Sequence, residues 1–398
     1  MDQKKIGVCI IVENLTVPLD RRVWQEARTL FEAGYRVSVI CPKGRGFEQS
    51  YELRDGIEIY RHGLWEASGP IGYLVEYAWA LVAEFRLALK VYGRTRFRIL
   101  HAANPPDTIF LIALFFRLFG VRFIFDHHDL NPELYEAKFG RRGIFYRLLL
   151  LAERLTFRTA TVSIATNESY REVALGRGGM GPDRAFIVRS CPDLKNICIG
   201  APNPELKHGK PLLVAYVGVM GAQDGLDLLL ESIRSIVERS KRDDVAFVLI
   251  GSGTELPTLK AWAAEKGLDS RITFTGRVPD AEMWACLSTA DVCVAPDPKN
   301  PMNDKSTMNK IMEYMAFGRP VVLYDLTEGR RSAGDAALYA QPNDPEDFAR
   351  QMLALLDSED LRRTLGARGR KRIEESLNWD IEKRVLLKAY ETALDDRR

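Results

Sequence analysis

Short, almost wholly apolar runs alternate with longer amphipathic stretches from one end of the chain to the other. That alternation limits what the chain can fold into. Strand-like runs fall at 6–12, 36–41, 57–61, 98–102, 121–125, 161–165 and 185–188, with helical periodicity between most of them, as at 22–33, 71–92 and 144–158. A strand apolar on both faces must be covered on both, so such runs joined by helices imply parallel sheets between helical layers. The pattern breaks at 200–211, a stretch rich in proline, glycine and polar residues that reads as an interdomain linker. It resumes with strand-like runs at 212–217, 245–250, 272–274, 292–295 and 321–324, and helices at 225–239 and 256–266. The expected fold is α/β: two doubly wound Rossmann-like domains, 1–199 and 212–376, followed by a terminal helix in 377–398. At about 150 residues per domain the length of 398 also suggests two or three. Ligands of such sheets bind beyond the carboxyl ends of the strands, so the cleft between two facing domains is the expected site.

Composition narrows the function. Lys+Arg is 56 against Asp+Glu 54, a net charge of +2, without the basic bias of a dedicated nucleic-acid binder. The six cysteines form no CxxC pair and histidine numbers only 5, so a zinc site is not expected. Most of the cysteines sit in apolar runs and read as small buried hydrophobes of a reducing cytosol. The run at 6–12 is too short for a signal-peptide core. The longest apolar stretch, 109–116, is far short of the roughly 20 residues that span a bilayer.

The densest polar motifs lie in the second half. The run at 245–250 ends in Gly251-Ser252-Gly253. Glycines there let backbone approach a ligand at a helix N-terminus, or serve only a tight turn. Gly276-Arg277-Val278-Pro279 sets one cation at a strand terminus. The segment Lys305-Ser306-Thr307-Met308-Asn309-Lys310-Ile311-Met312-Glu313 reads as a helix start that Ser306 or Thr307 caps and that Gly318 and Pro320 end. Lys310 and Glu313, three apart, share a helix face. Unpaired N–H groups at that start, with Lys305 just before, suit a phosphate, and Glu313 suits the two hydroxyls of a ribose. A solvated helix with a Lys310–Glu313 ion pair is the plainer alternative.

In their order and spacing these blocks resemble the donor half of the retaining nucleotide-sugar glycosyltransferases of family 4, which have the GT-B fold. Asp20-Arg21-Arg22-Val23-Trp24, followed by Gly34-Tyr35-Arg36-Val37, resembles that family's first helix and second strand. Tyr216-Val217-Gly218 resembles the opening of its second domain. Glu313-Tyr314-Met315-Ala316-Phe317-Gly318-Arg319-Pro320-Val321-Val322 resembles its most recognisable signature. Asn378-Trp379-Asp380 resembles the start of the terminal helix that crosses back to the first domain. The resemblance implies that Glu313 binds the nucleotide ribose. Gly251, Gly253, Arg277 and Val278 are assigned to the nucleotide site beside it. Two departures stand out. Lys305 occupies the place of the family's sugar-contacting glutamate, which points to altered donor recognition, an acidic sugar being one reading. Val219 and Asp224 occupy the places of the family's arginine and lysine, which neutralise the diphosphate. Lys305, Lys310 and Arg277 are therefore expected to supply that charge.

In the first half, Phe125-Asp126-His127-His128-Asp129 reads as a functional constellation at a strand's carboxyl end. Metal ligation is not expected, because sequential neighbours point apart. The resemblance aligns His128 with an active-site histidine near the reacting sugar, and Asp129 with an acidic residue. Either remains open as a general base of an inverting reaction, or as half of a His–Asp pair holding a loop. Arg21 or Arg22 is a candidate phosphate contact, with a surface ion pair as the simpler reading. Asn104 and Asp107 are candidate acceptor contacts. Segments 71–98 and 138–158 mix apolar and basic residues, which suits an anionic membrane surface or, more plainly, core helices with charged outer faces.

Together these readings predict a hexosyltransferase moving a sugar from a nucleotide-diphospho-sugar to a glycan or lipid-linked acceptor, with retention and without a metal. The expected setting is the assembly of bacterial surface polysaccharide, exopolysaccharide or lipopolysaccharide. The expected catalytic set is His128, Asp129, Lys305 and Lys310. No cofactor beyond the co-substrate and no nucleic acid is expected. The location is read as cytoplasmic, peripheral on the inner face of the membrane. A GT-B sugar-nucleotide epimerase and a non-catalytic scaffold partner are the rival readings.

Overall fold

The computed structural model describes residues 5–63 and 70–396, with side chains from 78 onward in the second stretch. By its internal packing the chain forms two units. One is Met1–Ser190 together with Glu382–Arg398; the other is Cys191–Ile381.

The first unit contains β1 (Gly7–Ile11), α1 (Arg21–Glu32), β2 (Arg36–Pro42), β3 (Tyr51–Arg54), β4 (Ile57–His62) and α2 (Pro70–Thr95). It continues with β5 (Ile99–Ala103), α3 (Phe110–Arg117), β6 (Arg122–His127), α4 (Asn131–Phe139), α5 (Ile144–Thr159), β7 (Val162–Ala165), α6 (Glu168–Leu175) and β8 (Ala185–Ile187). The strands form one sheet in the order β3-β4-β2-β1-β5-β6-β7-β8. Every pairing is parallel except β3 with β4. Winding reverses at β1, so the crevice of a doubly wound sheet opens beyond the carboxyl ends of β1 and β5. The central strands are apolar throughout because they are buried on both faces, β1 completely. The α1 helix starts where the Asp20 carboxylate accepts from the Val23 N–H, and it buries Val23, Ala27 and Leu30. The pattern of apolar runs misses β3, whose Tyr51 and Leu53 are exposed on an antiparallel edge.

The second unit contains β9 (Leu212–Val217), α7 (Leu226–Arg234), β10 (Val245–Ile250), α8 (Leu256–Glu265), β11 (Ile272–Gly276), α9 (Asp280–Thr289) and β12 (Val292–Ala295). It continues with α10 (Asn309–Ala316), β13 (Val321–Tyr324), α11 (Thr327–Ala333), β14 (Ala337–Ala340), α12 (Pro345–Asp357) and α13 (Glu359–Glu375). Helix α14 (Trp379–Asp395) begins here and, from Glu382, belongs to the first unit. The sheet is wholly parallel in the order β11-β10-β9-β12-β13-β14, reversing at β9. Its two faces carry separate apolar layers, one around Phe247, Val322 and Phe348, the other around Val248, Tyr314 and Ile373. The stretch 200–211 packs onto this unit rather than running free. Gly200 N–H donates to Ser288 Oγ at 3.1 Å, Asn203 N–H to Thr289 Oγ1 at 2.9 Å, and Lys207 Nζ to Asp291 at 2.8 Å.

Gly251 and Gly253 have a backbone reason to be glycine. A Cβ on Gly251 would lie 1.7 Å from the Gly218 carbonyl oxygen, at a φ of +142°, and one on Gly253 would lie 2.3 Å from the Met220 carbonyl. The two glycines let the loops after β9 and β10 touch at the sheet's carboxyl edge. Gly251→Ala should therefore cost more than about 3 kcal/mol in denaturant unfolding. A loss under about 1 kcal/mol would contradict this close approach.

Candidate active site

Each unit gathers its polar residues at the carboxyl edge of its sheet. In the first, β6 ends in Asp126-His127 with His128 immediately after it, and the period of two splits the motif between faces. His127 turns into the core with Phe125. Its ring lies 5.2 Å from those of Phe125 and Phe157 and 5.3 Å from that of Tyr170, and neither ring nitrogen finds a hydrogen bond. Only part of the constellation expected at 126–129 is therefore available to a ligand. Burial, reinforced by the Arg177 charge, pushes His127 down to about 3.

Asp126 turns to the other face and is fully buried. Arg22, from the first turn of α1, grips its carboxylate through Nη2 at 2.9 Å and Nε at 3.3 Å. Arg22 also donates through Nη1 to the Val188 carbonyl at 2.7 Å and to Ser190 Oγ at 3.2 Å. It is thus a buried structural cation, not the surface residue or phosphate contact the sequence suggests. Burial alone would raise Asp126, but Arg22, His128 and His101 hold it well below the usual carboxylate range. Its neighbour Glu26 goes the other way, driven well up by burial and by the Asp126 charge. The His128 Nε2 lies 2.5 Å from Asp126 Oδ2. Arg22 Nε also donates to His128 Nε2 at 2.8 Å, so Arg22 and Asp126 together hold this ring through Nε2. Behind Asp126, His101 Nε2 approaches at 3.3 Å while His101 Nδ1 meets the Tyr390 hydroxyl of α14 at 2.7 Å.

Glu26, His101 and Asp126 bring one ligand atom each within 4.8 Å of one another, the set of described residues suited to an ion. The Arg22 guanidinium already sits among them, 3.1 Å from Glu26 and 2.9 Å from Asp126, and serves as their cation.

The loop after β6 is held by Asn104, whose Oδ1 accepts from the N–H groups of His128 at 2.6 Å and Asp129 at 3.1 Å. Asn104 Nδ2 donates to Asp107 at 2.9 Å and to the Asp129 carbonyl at 2.7 Å, and Asn131 donates to Asp107 at 2.7 Å. Asn104 and Asp107 are thus buried and spent on the loop rather than turned toward an acceptor. Burial raises the Asp129 carboxyl, with His128 opposing.

In the second unit, α10 is fastened to the sheet by Tyr314, whose hydroxyl accepts from Val217 N–H at 2.8 Å and lies 3.3 Å from the Val294 carbonyl. The helix begins at Asn309 with Met308 at its N-cap, so neither Ser306 nor Thr307 caps it; Ser306 Oγ bonds the Met302 carbonyl instead. Lys305 ends the preceding turn of 3₁₀ helix, Asn303–Lys305. Lys310 is largely buried. It donates to Asp297 Oδ1 at 2.8 Å, lies 4.9 Å over the Tyr216 ring, and sets its Cε against Gly218. Asp297 is therefore its ion-pair partner, and Asp224 also faces it electrostatically. Burial would lower Lys310, but Asp297, Tyr216 and Asp224 raise it above the ordinary lysine range. Glu313 stands half-buried one turn further along α10.

Asp224 accepts from Gly221 N–H at 2.9 Å and shapes the turn after β9, while Val219 is 59% exposed there. Arg277 is exposed beyond β11, the outermost strand on that side, whereas Lys310 adjoins the β9 loop itself. Val278 packs on the apolar layer. The sequence marked Asp126 only within the 125–129 constellation and gave no site role to His101, Tyr390, Tyr216 or Asp297. The spacing of Asp126 and His128 at the end of one strand carried a signal, and the others are paired only by the fold.

Residues 19–190 match the family model "Glycosyl transferase 4-like domain", and residues 211–358 match "Glycosyl transferases group 1". A phosphatidyl-myo-inositol mannosyltransferase of Mycobacterium leprae is 30% identical over 190 residues, 46% of this chain and 48% of that protein. A 2-deoxystreptamine glucosyltransferase of Streptomyces kanamyceticus is 25% identical over 255 residues, 61% of this chain and 63% of that protein. The chain thus spans about half to under two thirds of these relatives' length. Among solved structures, sucrose-phosphate synthase of Thermosynechococcus elongatus superposes with a TM-score of 0.80 at 18% identity, over 98% of this chain and 99% of that one. Anabaena Alr3699/HepE in complex with UDP-glucose superposes at 0.73 and 13% identity, over 97% of this chain and 100% of that one. The fold they share is GT-B.

The buried His127 predicts a pH effect. The unfolded chain takes a proton on this residue below about 6.5, while the folded chain refuses it until about 3. Stability is therefore lost as pH falls from 6.5, by roughly 2 kcal/mol at pH 5. His127→Phe should flatten that part of the profile in thermal melts; parallel profiles for the two proteins would contradict the burial.

Proposed function

With its two halves matched by paired glycosyltransferase models, the chain belongs to the family 4-like GT-B glycosyltransferases, and we propose that it transfers a sugar from a nucleotide-diphospho-sugar to a glycan or lipid-linked acceptor with retention of configuration. The donor lies at the carboxyl edge of the second unit. Glu313 takes the ribose hydroxyls and Lys310 the diphosphate. The Anabaena structures with UDP and with UDP-glucose support a nucleotide-sugar donor, and the mannosyl- and glucosyltransferase relatives support transfer over epimerisation or scaffolding.

The observation that carries this reading is the place of Lys310. Val219 and Asp224 stand where the resemblance calls for cations, and Lys310 arrives at the same loop from α10, against Gly218. When the bond from the sugar's anomeric carbon to the diphosphate breaks, negative charge grows on the departing oxygens. A preorganised ammonium in a partly dry site stabilises that charge strongly. Asp297 holds the ammonium in place until phosphate oxygens share it. Lys305, on the turn before α10, lies on the sugar side of this arrangement. In the first unit, Asp126 and Arg22 fix the ring of His128, and Asp129 stands beside it. The acceptor hydroxyl bonds the anomeric carbon, and its proton leaves with the diphosphate. The chain's own residues supply every charge in this scheme, and no step calls for a metal.

A lipid-linked acceptor fits the outer surface of the first unit. Ile144, Phe145, Leu148 and Leu151 of α5 are exposed, as are Leu111, Leu114, Leu118 and Phe119 along and after α3. Arg177 draws Glu133 and Glu153 inward, with Glu153 buried, which leaves the outer face of α5 apolar and basic. Such a face suits an anionic membrane surface, and with it a role in surface-glycan assembly on the cytoplasmic side. No helix among the described residues is long and apolar enough to cross a membrane. Of segment 71–98, the side chains before 78 lie outside the described residues.

Thermal melting against UDP, GDP, ADP, CMP and dTDP tests the donor site. One diphosphate at 100 times its Kd should stabilise the protein by about 2.7 kcal/mol. Glu313→Ala should remove most of that shift. Stabilisation by none of the nucleotides, or an unchanged shift in the variant, would contradict the reading.

A further inference from the structure

At the amino-terminal edge of the first unit's sheet, opposite His128, four arginines converge on one cavity. It measures about 180 Å³ and is lined by Arg117, Arg122, Arg158 and Arg184, with Asp396 the single acid in its wall among the described residues. Arg117 closes α3, Arg122 opens β6, Arg158 stands in the last turn of α5, and Arg184 immediately precedes β8. The Asp396 carboxylate, only 9% exposed, accepts from both terminal nitrogens of Arg184 at 3.1 and 3.2 Å. Its backbone carbonyl accepts from Arg122. Arg117 and Arg158 have no hydrogen-bond or ion-pair partner for their guanidinium groups among the described residues. An arginine in a last turn complements its helix dipole, which accounts for a cation at each helix end. It does not account for two such ends sharing a cavity with two further arginines and one carboxylate.

We propose that this cavity is a binding site for a phosphate group, with Arg117 and Arg158 as the open half of its clamp. Guanidinium forks match a tetrahedral oxyanion in charge and geometry, and four of them around one internal carboxylate leave charge for a second anion. The volume is below the roughly 300 Å³ of a typical small-molecule pocket, so the ligand is a small phosphate ester or a phospholipid headgroup and not a nucleotide. Leu118 and Phe119, exposed beside Arg117, would border a lipid. The site stands at the far end of β6, roughly 20 Å from His128 at about 3.3 Å per residue, and does not rest on the transferase reading.

Thermal melting in inorganic phosphate, against chloride at matched ionic strength, tests the site. The wild type should show a saturable rise, and the Arg117→Gln/Arg158→Gln double variant should bind at least about tenfold more weakly. Its melting temperature in chloride reports that it still folds. An equal phosphate response in both proteins, or none in the wild type, would overturn the proposal. Phosphatidylcholine vesicles carrying phosphatidic acid or, at equal charge, phosphatidylglycerol separate the sources. Preference for phosphatidic acid that the variant loses identifies a lipid headgroup. No preference, with the soluble phosphate effect intact, identifies a free phosphate ester.

Discussion

Parallel strands all finish on the same edge. Once the chain commits to two parallel sheets, every loop that follows a strand is delivered to the carboxyl edge of its unit, and the chemistry must be assembled there from residues distant in sequence. The cost is local: polar groups crowd where backbone and apolar layers leave little water. Both units meet it with a buried ion pair. In the first, Arg22 neutralises Asp126 and ties α1 to β6 and to the backbone around Val188. In the second, Asp297 neutralises Lys310 and ties the segment after β12 to α10. Removing one partner of such a pair leaves an uncompensated buried charge, so each pair holds its site's geometry as well as its charge.

Much of the fold was legible because a strand buried on both faces leaves a near-continuous apolar run. β1, β9, β10 and β12 declare themselves in this way. β3 does not, since an exposed antiparallel edge needs no apolar alternation, and β14 is hidden by two alanines in its four residues. The site was legible where a motif is local. Glu313 and Lys310 share a helix, and Asp126 and His128 share a face at the end of one strand. What sequence could not convey was direction. His127, adjacent to His128, is core, whereas Arg22, which resembles a surface residue, is a buried cation engaged by Asp126, Glu26, His128 and Val188. Asp297 is thirteen residues from Lys310 in a loop without a motif, and only the packing of α10 against β9 and β12 brings the two together.

On the proposed reading, the second unit relocates a charge without changing the fold. A bound diphosphate needs a positive charge near the β9 loop, but the loop need not supply it. Here the loop offers an exposed Val219 and a turn-forming Asp224, while the ammonium comes from the facing helix, its stem laid against Gly218 and its head over Tyr216. Gly218 permits that approach: a Cβ there would lie 3.3 Å from the Lys310 Cε and 2.6 Å from the Tyr216 hydroxyl. On this view Lys310, Gly218 and Tyr216 act as one unit, and their chemistry is inseparable from the strand that Tyr216 belongs to.

The most direct test of this account is calorimetric binding of a nucleoside diphosphate and of its parent nucleoside to the wild type and to the Lys310→Met/Asp297→Asn double variant, which removes both charges together. The account predicts that the wild type prefers the diphosphate by at least about tenfold, the scale of one charge-assisted contact, and that the double variant binds the two alike. A preference that survives in the double variant would place the diphosphate elsewhere and contradict the role given to Lys310.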